Sequence, residues 1–312
     1  MGIRESVVEK DFWVSFVLDY LYHKSPWRKA LTFKGGTSLS KCFSLIERFS
    51  EDVDLILDWR LLGYGLNEPW EERSRTKQDK FNHEINAKTG IFLADTFAPQ
   101  LLVALKEKAG GELNVRIDQD APQTVLFEYP KLFPSLYLSE TVRLEIGALA
   151  AWTPSEEVSI QPFVADAYPG ILPDAAFTVQ TVSPERTFWE KATILHQEAN
   201  WPELLAMPAR YARHYYDLYQ ISLSKYKDKA LASPDLLQRV ADFKRKFYPR
   251  KWVRYEKATF EEIRLVPEAY RYPALKKDYE AMQEMFFHKV PKFEELIESL
   301  HKLEEEIHKS QK

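Results

Sequence analysis

A chain of 312 residues is long enough for one large or two medium domains, with a core that needs no disulfide or metal staple. Its 45% hydrophobic and 29% charged residues exclude a disordered or collagen-like chain, and a net charge of −4 gives no general affinity for nucleic acid. The single cysteine, Cys42, excludes an internal disulfide framework and a cysteine-based zinc site. With no signal-like N-terminus and no apolar run of about 18 residues, a soluble cytoplasmic protein that does not engage a membrane is expected.

The opening "ESVVEKDFWVSFVLDYLYHK" carries Val8, Phe12, Phe16, Leu18, Leu21 and Tyr22 near helical spacing and predicts an amphipathic helix that ends before Pro26. "ALTF" reads as a short strand, Gly35 and Gly36 as a turn, and "SLSKCFSLIERF" as a helix with Leu39, Phe43 and Ile46 on one face. "DVDLIL" alternates like a strand, which puts Asp52, Asp54 and Ile56 on one face and Val53 and Leu55 on the other. Residues 58–80 read as a loop, and a helix from Asp79 to Lys108 is expected to be interrupted near Pro99. "ELNVRIDQ", "QTVLFEYP" and "TVRLEIGA" have strand alternation between Pro or Gly boundaries. In "FTVQTVSPERTFWEKATILHQEA" the period changes from two to 3.6, with Ser183 as N-cap and Pro184 at the first helical position. The boundary is placed there. An α/β (α+β) core over 1–182, its mixed sheet flanked by helices, precedes a helical domain over 183–312 that closes on the stripe Phe293, Ile297, Leu300 and Leu303.

Three features point to chemistry. Glycines at a strand-to-helix turn let backbone N–H groups approach an anion, and Thr37, Ser38 and Lys41 add hydroxyls and a point charge suited to phosphate. Asp52 and Asp54, two apart on a strand, share a face and suit one or two divalent cations; unpaired, they would repel. Glu145, inside an apolar strand, offers a third acid, with a surface ion pair to Arg143 as its plainer reading. Together these lay out a metal-dependent nucleotidyl transfer site, in which a metal activates the attacking hydroxyl and another stabilises the pyrophosphate leaving group. Separately, "KRKFYPRKWVRYEK" interleaves seven cations with Phe247, Tyr248, Trp252 and Tyr255, a composition for docking a polyanion or, more plainly, a solvated helix face over an aromatic core side.

The stretches "EKDFWVSFVLDYL", "FKGGTSLSKCF", "RFSEDVDLIL", "VRLEIGA", "ERTFWEKATILH" and "RHYYDLYQI", in this order over about residues 5–222, resemble the AbiEii/AbiGii-type nucleotidyltransferase toxins of the polymerase-β-like superfamily. The resemblance implies a minimal nucleotidyltransferase core with a helical C-terminal domain, dependence on Mg²⁺ (or Mn²⁺), and the toxin's part in a toxin–antitoxin or phage-defence (abortive infection) system. Some relatives, the MenT-type toxins, modify the acceptor end of tRNA. Carried over, Gly35, Gly36, Thr37 and Ser38 hold the triphosphate, and Asp52, Asp54 and Glu145 ligate metal. Arg48 and Ser50 support the turn into the acidic strand, Lys191 faces the nucleotide, and Asp217 is the last acid of an R-D-x-Y-D-L motif in which His214 stands where many relatives have Asp.

The expectation is therefore NMP transfer from an NTP to an RNA end, with tRNA foremost and a cognate antitoxin protein as partner. The alternatives are nucleotidylation of a protein hydroxyl, or a non-catalytic binding module of the same fold. Arg213, Arg245, Lys251 and Arg254 are the candidate acceptor contacts. Arg210, Arg213, His214 and Asp217 are expected on one helical face, where an Arg213–Asp217 brace competes with substrate contact as their role. His196 is assigned none.

Overall fold

A computed structural model describes residues 4–50, 52–133, 141–172, 174–287 and 290–310. By internal packing the chain divides into two units: residues 1–42 with 49–182, and residues 43–48 with 183–312. The change of unit at Val182/Ser183 coincides with the change of hydrophobic period. The short excursion 43–48, which the sequence groups with the first part, packs with the second.

The first unit opens with α1 (Glu5–Asp19), continued by one π-turn to Lys24. Val7, Val14, Val17 and Leu18 are buried, whereas Phe12 and Phe16 are only half-buried and stack with each other beside Trp13. β1 (Leu31–Lys34) runs directly into α2 (Gly35–Lys41) and then to β2 (Asp52–Leu57). Here the structure corrects the expected long helix: α2 has seven residues, and Ser44, at φ 51°, turns the backbone out of helical conformation before Ile46. Helix α3 (Arg75–Phe92), a π-turn over 93–97 and α4 (Ala98–Ala109) follow, with Pro99 in the first turn of α4 directly after the π-turn. β3 (Asn114–Ile117), β4 (Thr124–Glu128) and β5 (Thr141–Gly147) fall inside the three expected stretches. β6 (Ser155–Ile160) and the short α5 (Phe163–Ala167) precede β7 (Phe177–Val182), and neither was legible: "SEEVSI" has no apolar alternation.

Among the described residues the seven strands make one mixed sheet in the order β3-β4-β5-β2-β1-β7-β6, with β2 parallel to β5 and antiparallel to β1. Leu31, Phe33, Val53, Leu55, Val142, Leu144, Val179 and Thr181 line one face and are buried. The other face carries Asp52 beside Arg143 and Asp54 beside Glu145. The alternation of "DVDLIL" thus sets which side is core and which side is chemistry.

In the second unit α6 (Pro184–Ala199), α7 (Ala212–Ser222), α8 (Lys225–Leu231), α9 (Pro234–Phe247), α10 (Tyr272–Ala281) and α11 (Phe293–Lys309) form a helical body. Pro184 begins α6 as expected, but the Ser183 side chain makes no capping bond and its hydroxyl is buried without a partner among the described residues. The α11 stripe Phe293, Ile297, Leu300 and Leu303 is buried as its periodicity requires. No described helix is long and apolar enough to cross a membrane.

Candidate active site

Gly35 explains itself once the neighbouring strand is in place. Its φ is +82°, and a Cβ added there would stand 1.9 Å from Oδ2 of Asp54. Only glycine lets the Asp54 carboxylate lie against the first residue of α2. The second tie is Thr37, whose hydroxyl approaches the carbonyl oxygens of Asp52 at 2.5 Å and Ser50 at 3.2 Å, locking α2 to the start of β2. Ser38 donates to the carbonyl of Gly35 at 3.0 Å. These two hydroxyl protons are thus engaged with backbone, and the groups left for an anion are the amides of the helix's first turn.

Lys41 is a plainer correction. Its ammonium donates to Asp11 at 2.5 Å and to the carbonyl of Gln161 at 3.3 Å, and the pair is buried. Asp11 also accepts from the amide of Phe163 at 2.7 Å. Burial raises the Asp11 carboxyl while Lys41 pulls it back down. Lys41 therefore braces α1, α2 and the start of α5, and is not presented to a phosphate.

On the open face, Asp52 and Glu145 are partly exposed, and Arg143 lies among the acids. Its guanidinium is 3.6 Å from Asp52, 4.0 Å from Glu145 and 2.9 Å from Asp118. The expected Arg143–Glu145 pair is thus the loosest of three, and the tightest partner, Asp118, was not anticipated. Its sequence context, "RIDQDAP", is that of an ordinary turn, and its carboxyl is held below the usual range by the amide of Asp120 and then by Arg143. Among the described residues no three His, Cys, Asp or Glu side chains converge on a metal position by themselves. The donor set nevertheless fits a hard dication. It is all carboxylate oxygen, and Mg²⁺ is commonly held by one or two carboxylates with substrate phosphates and water completing its shell.

The second unit holds a buried charge cluster of its own. Arg48, from the excursion 43–48, grips Asp217 with two bonds of 2.7 and 2.8 Å, and Lys191 donates to the same carboxylate at 2.7 Å. Asp217 is fully buried. Burial alone would raise its carboxyl, but Arg48 and Lys191 outweigh that and hold it well below the ordinary carboxylate range. Lys191 lies 3.2 Å from Nδ1 of His214. Loss of solvent, then the charges of Lys191 and Arg213, hold the His214 imidazole well below its usual range. Arg48 is thus a partner of Asp217, and Asp217 is braced by Arg48 and Lys191 instead of Arg213. Arg210 precedes α7, at φ 64°, and is not on the helical face with Arg213, His214 and Asp217.

The basic stretch is not one helix face. α9 ends at Phe247 and two 3₁₀ turns follow; Phe247 and Tyr255 are buried, and Trp252 packs edge-on against Trp201. Arg245, Lys251 and Arg254 are exposed, with Arg245 paired to Asp242 at 2.8 Å. His196 is structural: Nδ1 accepts from the amide of Arg264 at 3.1 Å and Nε2 lies 3.3 Å from the carbonyl of Arg254.

Residues 19–299 match the family model described as nucleotidyl transferase AbiEii toxin, type IV TA system. Similar solved structures include JHP933 from Helicobacter pylori, at 16% identity and a TM-score of 0.47, covering 98% of this chain and 94% of that one. Another is MenT4, a nucleotidyltransferase toxin from Mycobacterium tuberculosis H37Rv, at 16% identity and a TM-score of 0.41, covering 96% and 93%. No curated protein matches the sequence.

Proposed function

Because this chain belongs to the AbiEii nucleotidyltransferase toxin family of type IV toxin–antitoxin systems, we propose that it transfers a nucleoside monophosphate from an NTP to the end of an RNA, tRNA foremost. The observation that carries the reading is the fit of Asp54 over Gly35, which sets a carboxylate of β2 against the start of α2. A helix start offers amide donors to phosphate oxygens, and the acids beside it would otherwise repel the same phosphates. A dication reconciles the two. Asp52 and Asp54 would hold Mg²⁺ (or Mn²⁺), with Glu145 on the adjacent strand; when bound, the ion supplies charge neutralisation for the attacking and leaving oxygens of an in-line displacement.

The chain's own residues then divide the work. Gly35 and Gly36 leave the first turn of α2 open to the triphosphate, and Thr37 and Ser38 fix that turn through backbone bonds. Arg143 relieves repulsion among Asp52, Glu145 and Asp118 before substrate arrives. In the second unit Asp217 holds Lys191, a cation suited to an anionic oxygen. Arg213, Arg245, Lys251 and Arg254 dock the acceptor's backbone, in the cytoplasm and under control of a cognate antitoxin.

The test is incubation of the purified protein with total RNA and each α-³²P-NTP, with and without Mg²⁺. Label should enter RNA only with the metal, and Asp52→Asn or Asp54→Asn should lower the rate by about a hundred-fold or more. Label appearing in protein would overturn the acceptor, and full activity in both variants would overturn the site. Alanine at Arg245, Lys251 and Arg254 should raise KM for RNA and reduce its salt dependence.

A further inference from the structure

Within the first unit, the sheet face that carries the acids runs on past Asp54 into a cavity. Ile56 is the next residue of β2 on that face, and it pairs with Thr32 of β1. Gln180 of β7 and Glu157 of β6, which pair with each other, extend the same row. These four residues line a cavity of about 580 Å³. It begins two residues along β2 from Asp54, a distance of about 7 Å at the usual rise of a strand.

The order along β1 gives the cavity a side. Thr32 lies at the cavity, Lys34 pairs with Asp54, and Gly35 opens α2, so Asp54 stands between the cavity and the helix start. In an in-line displacement the attacking oxygen approaches the phosphorus opposite the bond that breaks. With the leaving pyrophosphate at the first-turn amides of α2, the acceptor hydroxyl arrives from the cavity side.

The lining suits a nucleotide. Trp152 is half-buried, with its ring 4.5 Å from that of the buried Trp59, whose Nε1 donates to the carbonyl of Leu66 at 3.2 Å. An aromatic surface held in this way stacks a base whatever its sequence. Arg28 and Lys29, exposed just before β1, form no ion pair among the described residues, whereas Asp58 is engaged by Arg60. Glu157 lies two strands away on β6, so a phosphate is drawn to the β1 side, and Thr32, Thr178 and Glu157 are left for sugar and base. We propose that this cavity receives the nucleotide next to the acceptor end of a single-stranded RNA terminus, with Trp152 as its stacking platform and Arg28 and Lys29 as its phosphate contacts. The proposal deepens the nucleotidyltransferase reading and rests on it.

The experiment uses the full chain, with 5′-³²P-labelled total tRNA as the probe. Kd is measured by filter binding at several salt concentrations for wild type, Trp152→Ala, Trp152→Phe and the double variant Arg28→Ala/Lys29→Ala, together with Tm and KM for each NTP. Trp152→Ala should weaken binding about ten-fold and Trp152→Phe should restore most of it, with KM for the NTP unchanged. The double variant should lower the slope of log Kd against log salt by about 0.7 to 1.4. Its Tm should not move, because both side chains are exposed. Wild-type binding in Trp152→Ala and in the double variant overturns the proposal, as does a raised KM for the NTP with Kd for tRNA unchanged. Label entering protein, and lost from it in Trp152→Ala, would seat a peptide in the cavity and also overturn it. Should Trp152→Ala fail to fold, the double variant decides, and a wild-type salt slope there is a refutation. A wild type that labels RNA while every variant matches it removes the cavity alone; a wild type that labels nothing removes the transfer reading and the cavity's role with it.

Discussion

At the scale of single residues, two contacts carry consequences out of proportion to their size. Gly35→Ala would force a Cβ to within 1.9 Å of Asp54 at a φ of +82°. The expected result is a loss of about 1–3 kcal/mol in urea unfolding together with abolished transfer, since relief requires Asp54 to move. A drop in stability with normal activity would remove Asp54 from the chemistry. Asp217→Asn leaves Arg48 and Lys191 buried beside a neutral amide. Breaking a buried pair from one side costs about 3–5 kcal/mol, measurable by denaturant titration. The sign with pH follows. A carboxyl whose folded pKa is depressed stabilises above its unfolded value, and that contribution is lost as pH falls below about 4 toward the folded one.

Elements tell how much could be read beforehand. The strand "DVDLIL" and the sheet stretches 112–130 and 141–148 were legible because a half-buried strand writes its burial as alternation. The glycine pair was legible as a turn, but its reason was not, because the occupant of the missing Cβ lies 19 residues on at Asp54. Helix α2 was over-read: Leu39, Phe43 and Ile46 keep a helical spacing that the left-handed Ser44 interrupts, and packing with the second unit decides the path of 43–48. Lys41 looked like a phosphate ligand because sequence places it one turn after Thr37, while its partner Asp11 is 30 residues away. Lys41→Met should accordingly lower Tm while leaving KM for the NTP unchanged, as kinetics on the folded protein would show; a raised KM would restore it to the site.

For the molecule as a whole, the acid–base balance is set by a few buried groups. Burial pushes Glu198 up to about 7, and both its oxygens lack partners among the described residues. Between its ordinary value and about 7 the folded state holds a proton that the unfolded chain has released, so stability falls as pH rises through that window. His196 and His214 act in the opposite sense: their folded values are depressed by burial, so their contribution grows as pH rises toward about 6.5. The opposed slopes should flatten the wild-type profile between about pH 5 and 7. Glu198→Gln removes one slope and should raise Tm more at pH 8 than at pH 5, by about 3–6 °C in calorimetry. An equal shift at both pH values would show that Glu198 does not titrate in that range.

The excursion 43–48 makes the second unit discontinuous in sequence, and this shapes how the protein is made and how it can be recombined. Arg48 leaves the ribosome 169 residues before Asp217, so its guanidinium waits through most of synthesis for the carboxylate that it grips from two sides. A gene fragment beginning at Ser183 encodes the helices but omits that clasp. Exchange of the helical part between related toxins is therefore not a single-crossover event. The short tract around Arg48 has to travel with it, and a lone C-terminal cassette would inherit Asp217 without one of its two cations.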